Sequence, residues 1–175
     1  MHKKRSGLFL IYGLAAAVLI TLDQLVKLWA IANLQGQPER TLIPGFVHLT
    51  YLENTGAAFG FLAGFGGAQV VLTVVKLVVM AAAVLYFAIL PREARFHYVR
   101  IPVTMIIAGG VGNLIDRLRL GFVVDMFAFS FFEFPVFNVA DIYVTVGVFL
   151  LLIIVMLVVR DAPLLGSANA EKTEE

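Results

Sequence analysis

Two aspartates bracket a Phe-rich stretch of this chain: Asp125 in "GFVVDMF" and Asp141 in "FNVADIYVTVG", with fifteen residues between them. Two carboxylates held close together cannot both ionise freely, so they share one proton. The ionised member can then draw a proton from water while the neutral member protonates a carbonyl or a leaving group. This is aspartic peptidase chemistry, and it needs no metal and no organic cofactor. The intervening loop is long enough to fold back so that its ends meet, and its apolar content would screen the pair from bulk water. On spacing alone, other pairs of acids could also be drawn together.

Competing chemistries find little support. The chain has no Cys, which excludes thiolate catalysis, disulfides and Cys-based metal sites. His2, His48 and His97 are scattered and form no HExxH pattern, so no metal site is expected. Of the serines, Ser6 is expected by the inner surface and Ser167 in the tail, which leaves Ser130 on the outer side, and no histidine or lysine is obviously placed to activate it. There is no basic stripe, so nucleic acid is not an expected partner.

The elements that must position the acids are apolar. Of 175 residues, 61% are hydrophobic and only 14% are charged, with a mean hydropathy of +0.93. A soluble domain of this length could not hide so much apolar surface, so the chain reads as a polytopic membrane protein. A spanning helix needs about 20 apolar residues. Four spans are expected, over about 8–32, 68–90, 101–118 and 141–159. Residues 1–160 form a single integral membrane domain, and the polar tail 161–175 is expected to be disordered. The basic start "MHKKR" and the small residues at 30–32 imitate a secretory signal, but Asp23 and Lys27 interrupt the apolar run, so an uncleaved first helix is expected.

Orientation follows from Lys and Arg. With the N-terminus inside, the inner ends carry Lys3, Lys4, Arg5, Arg92, Arg95, Arg100 and Arg160, and the outer loops only Arg40, Arg117 and Arg119. Both termini are therefore expected inside. The outer segment 33–60, with "RTLIPGFVHLTYLENTG", has the Pro-Gly punctuation and β-branched runs of a small sheet. The second outer loop, about 120–140, is Phe-rich enough to rest in the membrane interface.

Asp23, Asp116, Asp125 and Asp141 all fall toward the outer face on this topology. Asp23 is roughly 22 Å along the first helix. A proton-coupled carrier would usually place ionisable groups near mid-membrane with access from both sides. One-sided acids suit chemistry on something held at the outer leaflet. Around them lie three polar sets. In "GNLIDR", Asn113, Asp116 and Arg117 share a helical face. In "ENTGAAFG", Asn54 and Thr55 offer hydrogen-bonding groups beside glycines that permit close backbone approach. In "FNVAD", Asn138 is placed to cap the fourth helix. Asp23 could pair with Lys27 or contact substrate. Asp116 beside Arg117 and Arg119 reads as a positioning charge network, and Lys76 reads as snorkelling. "AGGVG" in the third span suits close helix packing.

These stretches, "TLDQLVK", "ENTGAAFG", "GNLIDRLRLGFVVDMF" and "FNVADIYVTVG", in that order and between four spans, resemble signal peptidase II, an aspartic peptidase family of bacterial inner membranes. The resemblance covers nearly the whole chain. It implies an all-α membrane protein: a four-helix transmembrane bundle with a small extracytoplasmic β-cradle and a short extra-membrane helix. It implies Asp125 and Asp141 as the catalytic pair. Asp23, Asn54, Asn113, Asp116, Arg117 and Asn138 would support the site or contact substrate. The implied reaction removes signal peptides from prolipoproteins, cleaving before a cysteine that carries a diacylglyceryl group. No cofactor and no metal are implied, and a monomer in contact with membrane lipids is expected. Inhibition by globomycin-type cyclic peptides is implied as well, making the enzyme an antibiotic target. The rival readings are a small carrier using the same acids and a non-enzymatic assembly factor.

Overall fold

The first helix, α1 (Lys3–Leu34), is rich in Leu and Ala, both strong helix formers. Its 32 residues extend about 48 Å at 1.5 Å per residue, more than the hydrocarbon thickness of a bilayer. Its two faces are inverted relative to a soluble helix. Leu14, Val18, Leu25 and Leu28 point outward and are about half exposed, while Asp23, Lys27, Ala30 and Leu34 are buried. The buried set has the i, i+4, i+7, i+11 spacing of one helical stripe, and its polar half is what the interior must satisfy.

The protein was analysed as a computed structural model that describes residues 3–55, 67–89 and 96–157. After α1 the chain forms strands β1 (Arg40–Ile43) and β2 (Val47–Asn54), then helices α2 (Gly67–Ile89) and α3 (His97–Leu120). Strand β3 (Val123–Phe129) and helix α4 (Val139–Leu157) follow. The architecture is helical with one small three-stranded antiparallel sheet, ordered β1-β2-β3. Leu10–Leu34 and His97–Leu120 are each long and apolar enough to cross a membrane. The apolar helical stretches Val78–Phe87 and Val139–Ile154 are shorter. No short extra-membrane helix lies among the described residues. The glycines of "GAAFG", the Lys76 side chain and the tail 161–175 lie outside them.

Helix α3 is central and packs on α1, α2 and α4. Small residues make that possible. A Cβ added at Gly109 would collide with the Ala140 carbonyl oxygen, and one at Gly112 would stand 2.6 Å from Asp23 Oδ2. From the other side, a Cβ at Gly147 would meet Pro102 O at 2.8 Å. The "AGGVG" run thus serves close helix packing. Toward the other end of α3, Val99, Val103 and Ile106 close a core with Ala83 and Phe96. Helix α3 begins four residues before the expected start at 101, so Pro102 lies inside it rather than at its first turn.

The sheet is built by two glycine-dependent turns. Between β1 and β2, Pro44 and Gly45 are the central residues of a turn closed by Phe46 N–H to Ile43 O at 3.0 Å. Gly45 has φ +72°, the left-handed value that a Pro-Gly turn requires at that position. Helix α3 ends at Gly121, φ +83°, whose N–H bonds Arg117 O, and β3 starts two residues later. The outer platform expected over 33–60 therefore gains a third strand from the Phe-rich loop. The sheet seats Leu49, Val124 and Met126 against Ala30 and Leu34 at the end of α1.

Candidate active site

Helix α4 starts at the N-cap Asn138, whose side-chain Oδ1 accepts the Asp141 N–H at 3.0 Å. The Ala140 N–H donates to Asp23 Oδ1 at 2.9 Å. Helix N-termini leave several N–H groups without internal partners and carry the positive end of the helix dipole. Two of those groups are met here by side-chain oxygens, and Asp141 in the first turn adds a negative charge where the dipole favours one. The apolar helix opens with an aspartate because its terminus is an electrostatic seat for one.

Asp125 arrives from β3 and is fully buried. It faces Leu52 across the sheet, and Asn54 lies two residues along β2 on the same face. Asn54 Nδ2 accordingly donates to Asp125 Oδ2 at 2.7 Å. The loop between the two aspartates does fold back. Phe127 and Phe137 exchange backbone hydrogen bonds at 2.9 and 3.0 Å, which sets residue 138 opposite residue 126, within side-chain reach of Asp125. Asn138 Nδ2 then donates to Asp125 Oδ1. One side chain, Asn138, therefore touches both acids.

Asn113 on α3 completes this arrangement by donating from Nδ2 to Asp141 Oδ1 at 2.9 Å. Its Oδ1 accepts from Lys27 Nζ at 2.9 Å and from Asn138 Nδ2 at 3.1 Å. Lys27 in turn stands 3.0 Å from Asp23 Oδ2 and 3.0 Å from Asp116 Oδ2. Asp116 also accepts the Val124 N–H at 3.1 Å and Gln24 Nε2 at 3.0 Å. All of these side chains except Gln24 are buried. Burying an ion costs several kcal/mol unless it is paired and hydrogen-bonded, so such a cluster persists only when it is satisfied throughout.

The four acids divide by partner. Asp23 and Asp116 are bound to the Lys27 ammonium. The described partners of Asp125 and Asp141 are the amides of Asn54, Asn113 and Asn138. A neutral amide donor orients a carboxylate without cancelling its charge, which suits a group that must take up and release a proton. An ammonium at 3 Å suits a structural acid.

Several sequence expectations change. Arg117 was grouped with Asn113 and Asp116, but among the described residues it contributes only its backbone carbonyl, at the α3 C-cap. Arg117 lies about 100° round the helix from Asp116 and about 40° from Asn113, at the edge of the buried stripe, and is partly buried. The charge network of Asp116 runs to Lys27 and Gln24 instead of Arg117 and Arg119, and Arg119 Nη1 donates to Gln24 Oε1 at 3.2 Å. Lys27 was read only as an Asp23 partner, and Gln24 was missed. Their i+1 and i+4 spacing from Asp23 was the available signal.

Ser130 is also better accompanied than expected. The Ser130 N–H bonds Phe46 O, and His48 Nδ1 lies 3.2 Å from Ser130 Oγ. His48 Nε2 is 3.3 Å from Glu39. In a serine triad the orienting carboxylate is buried, whereas the Glu39 side chain is 63% exposed. This string of groups also stands beyond β3, away from Asp125, and does not alter the site assignment. Nearby on β2, burial and the neighbouring Glu53 push the Tyr51 phenol up to about 12, so it remains a neutral donor to Glu53 Oε1.

Comparison with known proteins identifies the family. A family model described as signal peptidase (SPase) II matches residues 15–157. The lipoprotein signal peptidase of Streptococcus pneumoniae is 46% identical over 151 residues, 86% of this chain and 93% of that protein. The lipoprotein signal peptidase of Streptococcus pyogenes serotype M1 is 43% identical over 143 residues, 82% of this chain and 91% of that protein. A solved bacterial membrane enzyme is 29% identical with a TM-score of 0.65, over 84% of this chain and 92% of that one.

Proposed function

The chain belongs to the signal peptidase II family, aspartic peptidases that cleave signal peptides from prolipoproteins, and from that premise we propose that Asp125 and Asp141 are its catalytic pair. The observation that supports the pair is the Asn138 side chain, which donates to Asp125 and accepts from the Asp141 backbone. One aspartate, ionised, takes a proton from water as the oxygen attacks the scissile carbonyl carbon. The other, neutral, donates its proton to the carbonyl oxygen. Collapse of the tetrahedral intermediate breaks the C–N bond as the aspartate that took the proton from water gives it to the leaving nitrogen, while the other aspartate takes back a hydroxyl proton from the intermediate, so the pair again holds one proton. Coupled carboxylates titrate as a unit, so the shared proton belongs to the pair.

The four helices form a transmembrane bundle on this reading, with both termini cytoplasmic and the site toward the periplasm of a bacterial inner membrane. The surface of α1 supports it, since its outward side chains are apolar while its polar stripe is internal. The sheet is the cradle above the site. Its far end carries Phe46, Phe131, Phe132 and Phe134, about half exposed and in contact as one cluster of tilted rings, which suits the membrane interface. Asp23, Asn54, Asn113, Asp116 and Asn138 support the pair, while the Arg117 side chain is left for substrate or lipid headgroups. The enzyme acts as a monomer on diacylglyceryl-modified prolipoproteins and is open to cyclic peptides of the globomycin type.

The lipid requirement supplies the test. Purified enzyme in detergent is expected to cleave a diacylglyceryl-modified precursor immediately before the modified cysteine, with the product identified by mass. The same precursor lacking the lipid is expected to be cut at least about a hundredfold more slowly, the loss of roughly 3 kcal/mol of binding energy used in the transition state. Equal rates on both precursors would contradict the assigned substrate.

A further inference from the structure

Lys27 is 2% exposed, yet each of its three N–H bonds has a defined acceptor. Two are the carboxylates of Asp23 and Asp116. The third is Asn113 Oδ1, at 2.9 Å. That third bond has a consequence for the amide. A side-chain amide has an oxygen end and a nitrogen end of nearly equal size, so its direction is set by its neighbours. At Asn113 the oxygen end is met by an ammonium and by the Asn138 NH2. Reversing the amide would press an NH2 group against both. The nitrogen end must therefore face Asp141 Oδ1.

The constraint passes on. Asn138 spends one N–H on Asn113 Oδ1 and the other on Asp125 Oδ1, and its own oxygen takes the Asp141 N–H. Two amides pointed in one direction thus deliver a donor to each of the two aspartates. The only full positive charge in the described arrangement stands at the head of this series, out of contact with both acids that it orients.

We propose that Lys27 is a positioning residue for catalysis: by fixing the direction of the Asn113 amide, and through it that of Asn138, it sets the orientation in which each aspartate carboxylate is held. The proposal rests on the assignment of Asp125 and Asp141 as the reacting pair. It gives Lys27 a role beyond neutralising Asp23, and it separates the two charged neighbours from the two reacting acids. The charged groups facing Lys27 are Asp23 on its own helix and Asp116 on α3, with Asp141 of α4 reached through Asn113.

The single variant Lys27→Met leaves two buried carboxylates without their cation and could fail through folding alone. The informative variant is the neutral triple, Lys27→Met with Asp23→Asn and Asp116→Asn, which keeps side-chain shape and leaves no ion unpaired. The expected result is a folded protein whose kcat on a diacylglyceryl-modified precursor falls about tenfold or more, with KM changed less than about twofold. The acidic limb of its kcat/KM profile should also move to higher pH, because a carboxylate that loses an enforced donor is more readily protonated. A folded triple variant with wild-type kcat and an unmoved pH profile would overturn the proposal. So would a triple variant that does not fold, since the positioning role would then be inseparable from the scaffold. Asp125→Asn is assayed alongside: if it still cleaves, the assignment of the reacting pair has failed rather than the role of Lys27.

Discussion

Asp125→Asn and Asp141→Asn are each expected to fold and to lose cleavage of a lipidated precursor by a factor of about 10² to 10⁴. The substitution keeps the planar shape of the side chain but removes the site that takes up and releases a proton. A general acid or base contributes that much when it acts in the transition state. At position 125 the new amide also meets a difficulty. Both oxygens of Asp125 accept N–H donors, from Asn54 and Asn138, so an NH2 placed at either one faces another donor. That mismatch should lower stability by about 1–3 kcal/mol, and a thermal shift in detergent would measure it independently of rate. Loss of activity with the fold retained is the expected signature. Cleavage retained by both variants would remove the pair from the reaction.

The largest stability effect is expected at Asp23. Replacing it with Ala removes one of the two carboxylates on Lys27 and strips the acceptor from the Ala140 N–H at the start of α4. Removing one partner from a buried ion pair typically costs about 3–5 kcal/mol, because the remaining charge stays buried. Asp116 still faces Lys27 in that variant, so the lower half of this range is expected. Denaturant or thermal unfolding in detergent measures it. A change below about 1 kcal/mol would show that Asp116 alone satisfies the ammonium and that Asp23 serves the site in another way.

How much of this could be read beforehand depends on the length scale of each signal. The helices announce themselves through long apolar runs, and their ends through Gly, Asn and Asp. Strand β3 did not. Val123 to Met126 are all buried, so "VVDMFAF" shows no alternation and reads as a greasy loop. Its place beside β2 depends on a pairing between residues about seventy positions apart, which no local pattern encodes. The polar sets were legible as sets, but their partners were not. The Lys27–Asp116 contact joins α1 to α3, and it exists because Gly112 lets the two helices approach. Arg117 shows what spacing leaves open. It follows Asp116 directly in "GNLIDR" and falls within i+4 of Asn113, yet it is only partly buried. Spacing places its side chain next to the set without saying what that side chain meets. The family resemblance was legible because four short polar motifs recur in order between apolar spans. That is a pattern of composition along the chain and needs no knowledge of contacts.

The division of the acids into two classes has a wider meaning for how such a site is held in an apolar protein. Among the described residues, the charged pairings of the site concentrate on Lys27, where α1 meets α3, and amides reach forward from there toward the proposed reacting groups. Among the described residues, the ammonium of Lys27 thereby anchors the cluster while neutral amides carry its orientation on to the proposed reacting groups. The most direct test of the central claim is an experimental structure with a bound lipopeptide mimic carrying a hydroxyl in place of the scissile carbonyl. Oxygens of both Asp125 and Asp141 are expected within about 2.6–3.2 Å of that hydroxyl. A hydroxyl seated against Asp23 and Asp116, or touching neither Asp125 nor Asp141, would contradict the account.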